Sequence, residues 1–177
     1  SNTAANTSGE ASPVAHAVVV PDDDVNNVTS TDTKEGDAAS SSYIQTSTGN
    51  WVSRRAVIEN ARHVELKGRS IVHADTQFKA ADSPTGWIRT GRYCHVGAGT
   101  IIQPAVLPPH HREKHVPVTI GSHTIIRKNC HLQAAAVGSY CWIGCSVVLG
   151  PRVIVKDCCV IADNVTIPAD TVIPPFT

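Results

Sequence analysis

The densest group of ligand-type side chains is PPHHREKH, residues 108–115, where His110, His111, Glu113 and His115 stand close together. Histidine and carboxylate in such a run hold metals or move protons. The order is not HExxH, which sets two histidines and a general base on one helical face, and the prolines make this run a loop. A solvated, partner-facing loop accounts for it, because rigid scaffolds carry recognition on their loops. The six cysteines form no CxxC pair. Cys141 and Cys145 are separated by three residues, and Cys158 and Cys159 are adjacent, in VKDCCVIADNVTIPADTVIPPFT, residues 155–177. What these groups do depends on the element that holds them.

That element is a repeat. Aliphatic residues recur every sixth position: Val137, Ile143, Leu149, Val155, Ile161, Ile167 and Ile173. Shorter runs in the same phase are Leu66, Val72 and Phe78; Thr90, Val96 and Ile102; and Ile120, Ile126 and Leu132. A helix would space apolar residues by three and four, and a plain strand by two. A period of six fits a short strand plus a turn, with the residue four after each aliphatic also facing inward. Glycine often follows the aliphatic, as at Gly91, Gly97, Gly121, Gly138 and Gly144, and is expected there to ease the turn. Three such strands make one triangular coil, so the fold class is all-β, a parallel β-helix of hexapeptide repeats. Helices of the hexapeptide class are left-handed, against the usual crossover rule; that handedness is implied by likeness to the class.

The register can be drawn in full. Face X carries Leu66, Thr90, Ile120, Val137, Val155 and Ile173. Face Y carries Val72, Val96, Ile126, Ile143 and Ile161. Face Z carries Phe78, Ile102, Leu132, Leu149 and Ile167, and Val52 and Ile58 begin faces Y and Z. The irregularities fall at the corner from Z to X: insertions at 79–89 and 103–119, and a short step from Leu132 to Val137. Cys94, Cys130, Cys141 and Cys159 then point inward as small core residues and free thiols. Cys145 and Cys158 fall at turns. His95 and His131 point outward, and His123 sits at a turn.

The chain divides in two. Residues 1–42 hold seven acids and one base, net −6, with no aromatic residue and no sustained period. Such a segment buries too little apolar surface to offset its chain entropy, and is expected to be a disordered acidic tail. Residues 43–177, the β-helix, hold fourteen bases and eight acids, net +6. The bases are scattered, which argues against a nucleic-acid partner and leaves room for an acidic protein. The apolar run VAHAVVV, residues 14–20, is too short to cross a membrane and stops at Pro21 and three aspartates. Direct membrane insertion is not expected.

YIQTSTGNWVSRRAVI, LKGRSIV and above all VKDCCVIADNVTIPADTVIPPFT resemble the dynactin subunit 5 family, over about residues 43–177. The chain departs from the family pattern in three ways. Its N-terminal segment is longer, KAADSPTGW replaces a segment containing RGD, and it stops at PPFT where the family continues. The resemblance implies a non-catalytic pointed-end subunit of dynactin, cytoplasmic and cytoskeleton-associated. Its implied partners are dynactin subunit 6, the pointed-end actin-related protein, dynactin subunit 4 and dynein cargo adaptors. It implies no cofactor.

The same fold serves hexapeptide enzymes, so the alternative is an acyltransferase or a degenerate gamma-class carbonic anhydrase. On this register the three zinc histidines of the latter class correspond to Gln103, Lys128 and Gln133, two poor ligands and a cation. No histidine has a carboxylate in sequence phase, as a general base would need. The Z-to-X corner is the better candidate for function. Its expected interface residues are Trp87, Arg89, His110, His111, Arg112, Lys114 and His115, an aromatic anchor with a basic rim. Asp75 and Asp82 are expected nearby, and Pro104 is expected to add apolar surface.

Overall fold

The computed structural model describes residues 42–107 and 114–177. The acidic tail and His110, His111 and Arg112 thus fall outside the described residues, Ser42 apart. The rest is an all-β solenoid of parallel strands, two or three residues long, with one 3-10 turn at Ala61–His63. Two sheets have six strands and the third has seven, so the chain completes about six coils.

The three sheets are faces X, Y and Z. On X, Leu66 pairs with Thr90, Thr90 with Ile120, and Ile120 with Val137. On Y, Val52 pairs with Val72, Val72 with Val96, and Ile126 with Ile143. On Z, Ile58 pairs with Phe78, Ile102 with Leu132, and Leu132 with Leu149. The six-residue period therefore specifies which side chains stack. Phe78, Ile102, Ile126, Leu132, Ile143 and Leu149 are fully buried. Burying such a side chain is worth about 1.5–3 kcal/mol. A long single column of them holds a fold whose strands are otherwise too short to persist.

The seventh strand of face Y is antiparallel. Strand β1, Tyr43–Gln45, folds back on β2, Trp51–Ser53, and caps the N-terminal end of the stack. Buried Asn50 anchors this hairpin, accepting from Ser70 N at 2.9 Å and donating to Leu66 O at 3.3 Å. The cap covers an edge that would otherwise invite pairing.

Glycine does not follow the aliphatic residue for the reason expected. The left-handed positions are the third after it: Arg69, Asp75, Tyr93, His123, Asn129 and Tyr140 all have φ between 53° and 59°. The glycines answer a different constraint, the approach of the next coil. A Cβ at Gly121 would lie 2.4 Å from Ser139 N, and one at Gly97 would lie 2.5 Å from the Arg127 carbonyl carbon. Backbone cannot yield at those distances, so Gly97 and Gly121 admit no side chain where they stand.

Candidate functional site

Three excursions leave the stack at the Z-to-X corner: the turn Ala61–His63, the loop 80–87, and the segment from 103 that returns at Val118. They lie side by side. Asn60 Nδ2 donates to Ala80 O at 2.6 Å, His63 Nδ1 to Ala81 O at 2.8 Å, and Arg62 pairs with Asp82. His115 N donates to Thr85 Oγ1 at 3.1 Å, and Val118 N to Trp87 O at 2.9 Å. The third excursion is a ribbon, with Ala105 opposite Val116 and Val106 opposite His115 in antiparallel register. Two short strands with one flank on the solenoid make a raised arm.

Of the residues expected at this corner, Lys114 is exposed on the arm and His115 is half-buried against the neighbouring loop, 3.3 Å from Ser83 Oγ. Trp87 is half-buried rather than a free anchor. Its ring lies 5.0 Å from that of His63, and its Nε1 donates to Pro84 O at 2.8 Å. Arg89 is not in the excursion at all. It belongs to the strand Ile88–Thr90 on face X, where its Nε donates to Glu65 at 2.6 Å. The first insertion is accordingly shorter than 79–89, because Lys79 still pairs with Glu59 and Arg89 with Glu65. Asp75 lies at the other end of face Z, at the Y-to-Z turn, paired with Arg55 at 2.6 Å. Pro104 is buried, and Val106 and Pro117 are exposed apolar residues of the arm.

The single histidines have other duties. His95 stands outward on face Y, with Nε2 2.7 Å from His73 Nε2, and His73 Nδ1 lies 2.8 Å from Tyr43 Oη. Burial, and then the neighbouring His73, hold the His95 imidazole below its ordinary value. Its Nδ1 is buried without a partner. This relay ties the β1 cap to the third coil and has no carboxylate to orient it as a base. His131 is half-buried on face Z. Gln103 and Gln133 lie half-buried on the same face, and Lys128 is exposed at the Y-to-Z turn. Among the described residues, no group of three or more histidines, cysteines and carboxylates is placed to hold a metal.

The opposite edge, from X to Y, carries columns that periodicity alone did not assign a purpose. At the fourth residue after each X aliphatic, a small donor meets a carbonyl of the next coil. Cys94 Sγ reaches Gly121 O at 3.0 Å, Thr124 Oγ1 reaches Gly138 O at 2.7 Å, Cys141 Sγ reaches Lys156 O at 3.1 Å, and Cys159 Sγ reaches Pro174 O at 3.1 Å. Burial pushes the Cys94 and Cys141 thiols up, which keeps them protonated as donors. All six cysteines are free, four buried and Cys145 and Cys158 half-buried at turns. At the third residue, Tyr93, His123 and Tyr140 stack at 4.9 and 4.8 Å, and Arg69 Nη1 donates to Tyr93 Oη at 2.9 Å. A left-handed backbone costs a bulky residue about 1–2 kcal/mol, and each stacked pair returns about 0.5–1.5 kcal/mol. Two stacked pairs against three left-handed residues recover part of that backbone cost. Its signal was in the register: these rings occupy one column of the X-to-Y turn, the third residue after Thr90, Ile120 and Val137.

The sequence model described as Dynactin subunit 5 matches residues 34–177. A protein named Dynactin subunit 5 from Dictyostelium discoideum is 33% identical over 99 residues, which is 56% of this chain and 48% of that protein. The chain therefore spans about half the length of this relative. The family match covers every coil of the solenoid, all three corner excursions and the cap, and on it the chain belongs to the dynactin subunit 5 family.

Proposed function

We propose that the chain is a non-catalytic structural subunit of the dynactin pointed-end complex, cytoplasmic and cytoskeleton-associated, which supports dynein–dynactin binding to cargo adaptors. The observation that carries the reading is family membership across the whole solenoid. The fold suits the task. A stack with one buried column is stiff, and its last coil presents unpaired strand edges that another subunit can cover. Dynactin subunit 6, subunit 4 and the pointed-end actin-related protein are the proposed neighbours. The arm at the Z-to-X corner is the proposed contact, either with one of these or with an acidic stretch of an adaptor. Lys114 and Val106 offer a base beside exposed apolar surface there.

The test is to replace 106–115 with a short Gly-Ser turn, keeping buried Pro104 and Ala105 and the anchored Val118. Loop length costs little stability, so the solenoid should remain folded. Its incorporation into the pointed-end assembly, or adaptor binding by that assembly, should fall, and less so at high salt if the bases act. A shortened chain that assembles and supports adaptors like the parent would remove the arm from this role. Stoichiometric zinc in a homotrimer would overturn the scaffold reading altogether.

A further inference from the structure

Face Y differs from the other two in what it turns outward. Its outward column pairs Trp51 with Ile71, Ile71 with His95, His95 with Ile125, Ile125 with Trp142 and Trp142 with Val160. Five of these six side chains are apolar, and none is acidic. Face X begins its outward column with Glu65 and Arg89, and face Z places Gln77 and His131 in its own. Trp51 and Trp142 are 41% and 42% exposed and Val160 is 65% exposed, so nothing described covers the column. Single exposed apolar residues need no explanation, but a continuous column of them does.

The border of this face is basic. Arg69 and Arg92 lie on the X-to-Y edge, Arg127 on the face itself, and Lys128 at the Y-to-Z turn. None takes part in the four salt bridges among the described residues. Arg127 instead lies over the Trp142 ring, 5.7 Å from its centre, and Arg69 over Tyr93. Of the acids near the face, Asp75 is paired with Arg55 at 2.6 Å, and Asp157 and Asp163 belong to the last coils and accept from backbone Ser139 N and Cys145 N. An occupant therefore needs carboxylates for the middle coils and an apolar stretch for Trp142 and Val160.

We propose that face Y is an intramolecular docking surface whose occupant is the chain's own segment 14–24, VAHAVVVPDDD. Three observations favour this occupant. Residues 1–42 are net −6 and residues 43–177 net +6, so the two parts attract. The chain enters the solenoid through β1, which is itself the first strand of face Y. The order of chemistry also matches. Moving away from β1, the segment presents Asp24, Asp23 and Asp22 and then Val20 to Val14. Face Y, in the same direction, presents Trp51 and Ile71, then Arg92, Arg127 and Lys128, and then Trp142 and Val160, so the aspartates match its middle coils and the valines its last ones. Reach is ample: the stretch from Ser42 back to Asp24 spans up to about 60 Å extended, against about 19 Å for the four coil steps from Trp51 to Trp142. Docked so, the segment would shield the face from other proteins until a better acidic-apolar ligand displaced it.

The test uses the full chain with a photoreactive benzoylphenylalanine in place of Val19. Irradiation should place adducts mainly on tryptic peptides 129–152 and 157–177, which contain Trp142 and Val160. Mixing isotopically light and heavy protein should give adducts within one chain only. Trp142→Ser combined with Arg127→Glu, both exposed positions, should lower that yield about fivefold, while an unchanged melting temperature shows the solenoid intact. High salt should lower it as well. Adducts spread evenly over the three faces, adducts joining light to heavy chains, or a yield indifferent to the double substitution would each overturn the proposal.

Discussion

The X-to-Y edge and the Z-to-X corner are built from the same repeat and behave as opposites. At the X-to-Y edge every coil turns in the same number of residues, and each position of the turn has become a column. Gly91, Gly121 and Gly138 let the coils approach, a small donor meets the next carbonyl, and the rings of Tyr93, His123 and Tyr140 stack. At the Z-to-X corner the connections differ in length, so no column can form. The excursions there are held to one another by side chain to backbone bonds instead. One edge spends its sequence on stacking, and the other is free to carry loops. A substitution should therefore be felt most where it interrupts a column.

The largest contrast is predicted for Gly121→Val against shortening the arm at 106–115. Valine at 121 would drive into backbone atoms of Gly138 and Ser139 at 2.4–2.5 Å. Overpacking of this kind costs about 3 kcal/mol or more, whereas the shortened arm should change stability by less than about 1 kcal/mol. Urea midpoints of the two variants decide it; equal losses would mean the edge holds no more than the corner does.

A smaller effect is predicted for the donor column. Thr124→Val keeps the volume but strands the Gly138 carbonyl and removes the acceptor of Cys141 N at 3.4 Å. An unmet buried group costs about 1–3 kcal/mol. Cys159→Ser, which preserves the donor, should cost less than Thr124→Val. If threonine and valine are equivalent at 124, the column works by size alone.

The smallest effect is a pH dependence at the cap end of face Y. The fold holds His95 below its ordinary value of 6.5 because burial, and then His73, disfavour the charged imidazole. The unfolded chain then takes up this proton first as pH falls. Stability contributed by neutral His95 is complete above about 6.5, and is lost as pH falls from there through the lower folded value. Thermal unfolding between pH 7.5 and 5 should show this slope, and His95→Gln should flatten it. Amide exchange should place the first loosening at β1, where Tyr43 ends the relay.

Much of this was legible in the chain because the repeat is strict. Val137 to Ile173 step by six without a break, and that alone assigns faces, inward cysteines and the stacking partners that the sheets then form. The same phase put Cys94, Cys130, Cys141 and Cys159 in the core, where all are buried and free. Periodicity failed where the question was what one coil does to the next. The glycines looked like turn residues, yet the left-handed turn falls two positions later and the glycines serve the close approach of the neighbouring coil. Arg89 is expected in the corner insertion and Asp75, on the turn after Val72, close to it, but the strand pairing gives Arg89 to Glu65 and the turn gives Asp75 to Arg55. The sequence by itself determined the solenoid, because a period of six admits one way of burying its aliphatic residues. Only the tertiary structure decided which surfaces remain open, because contacts between coils join residues from 14 to 30 positions apart, where insertions and not the repeat set the distance.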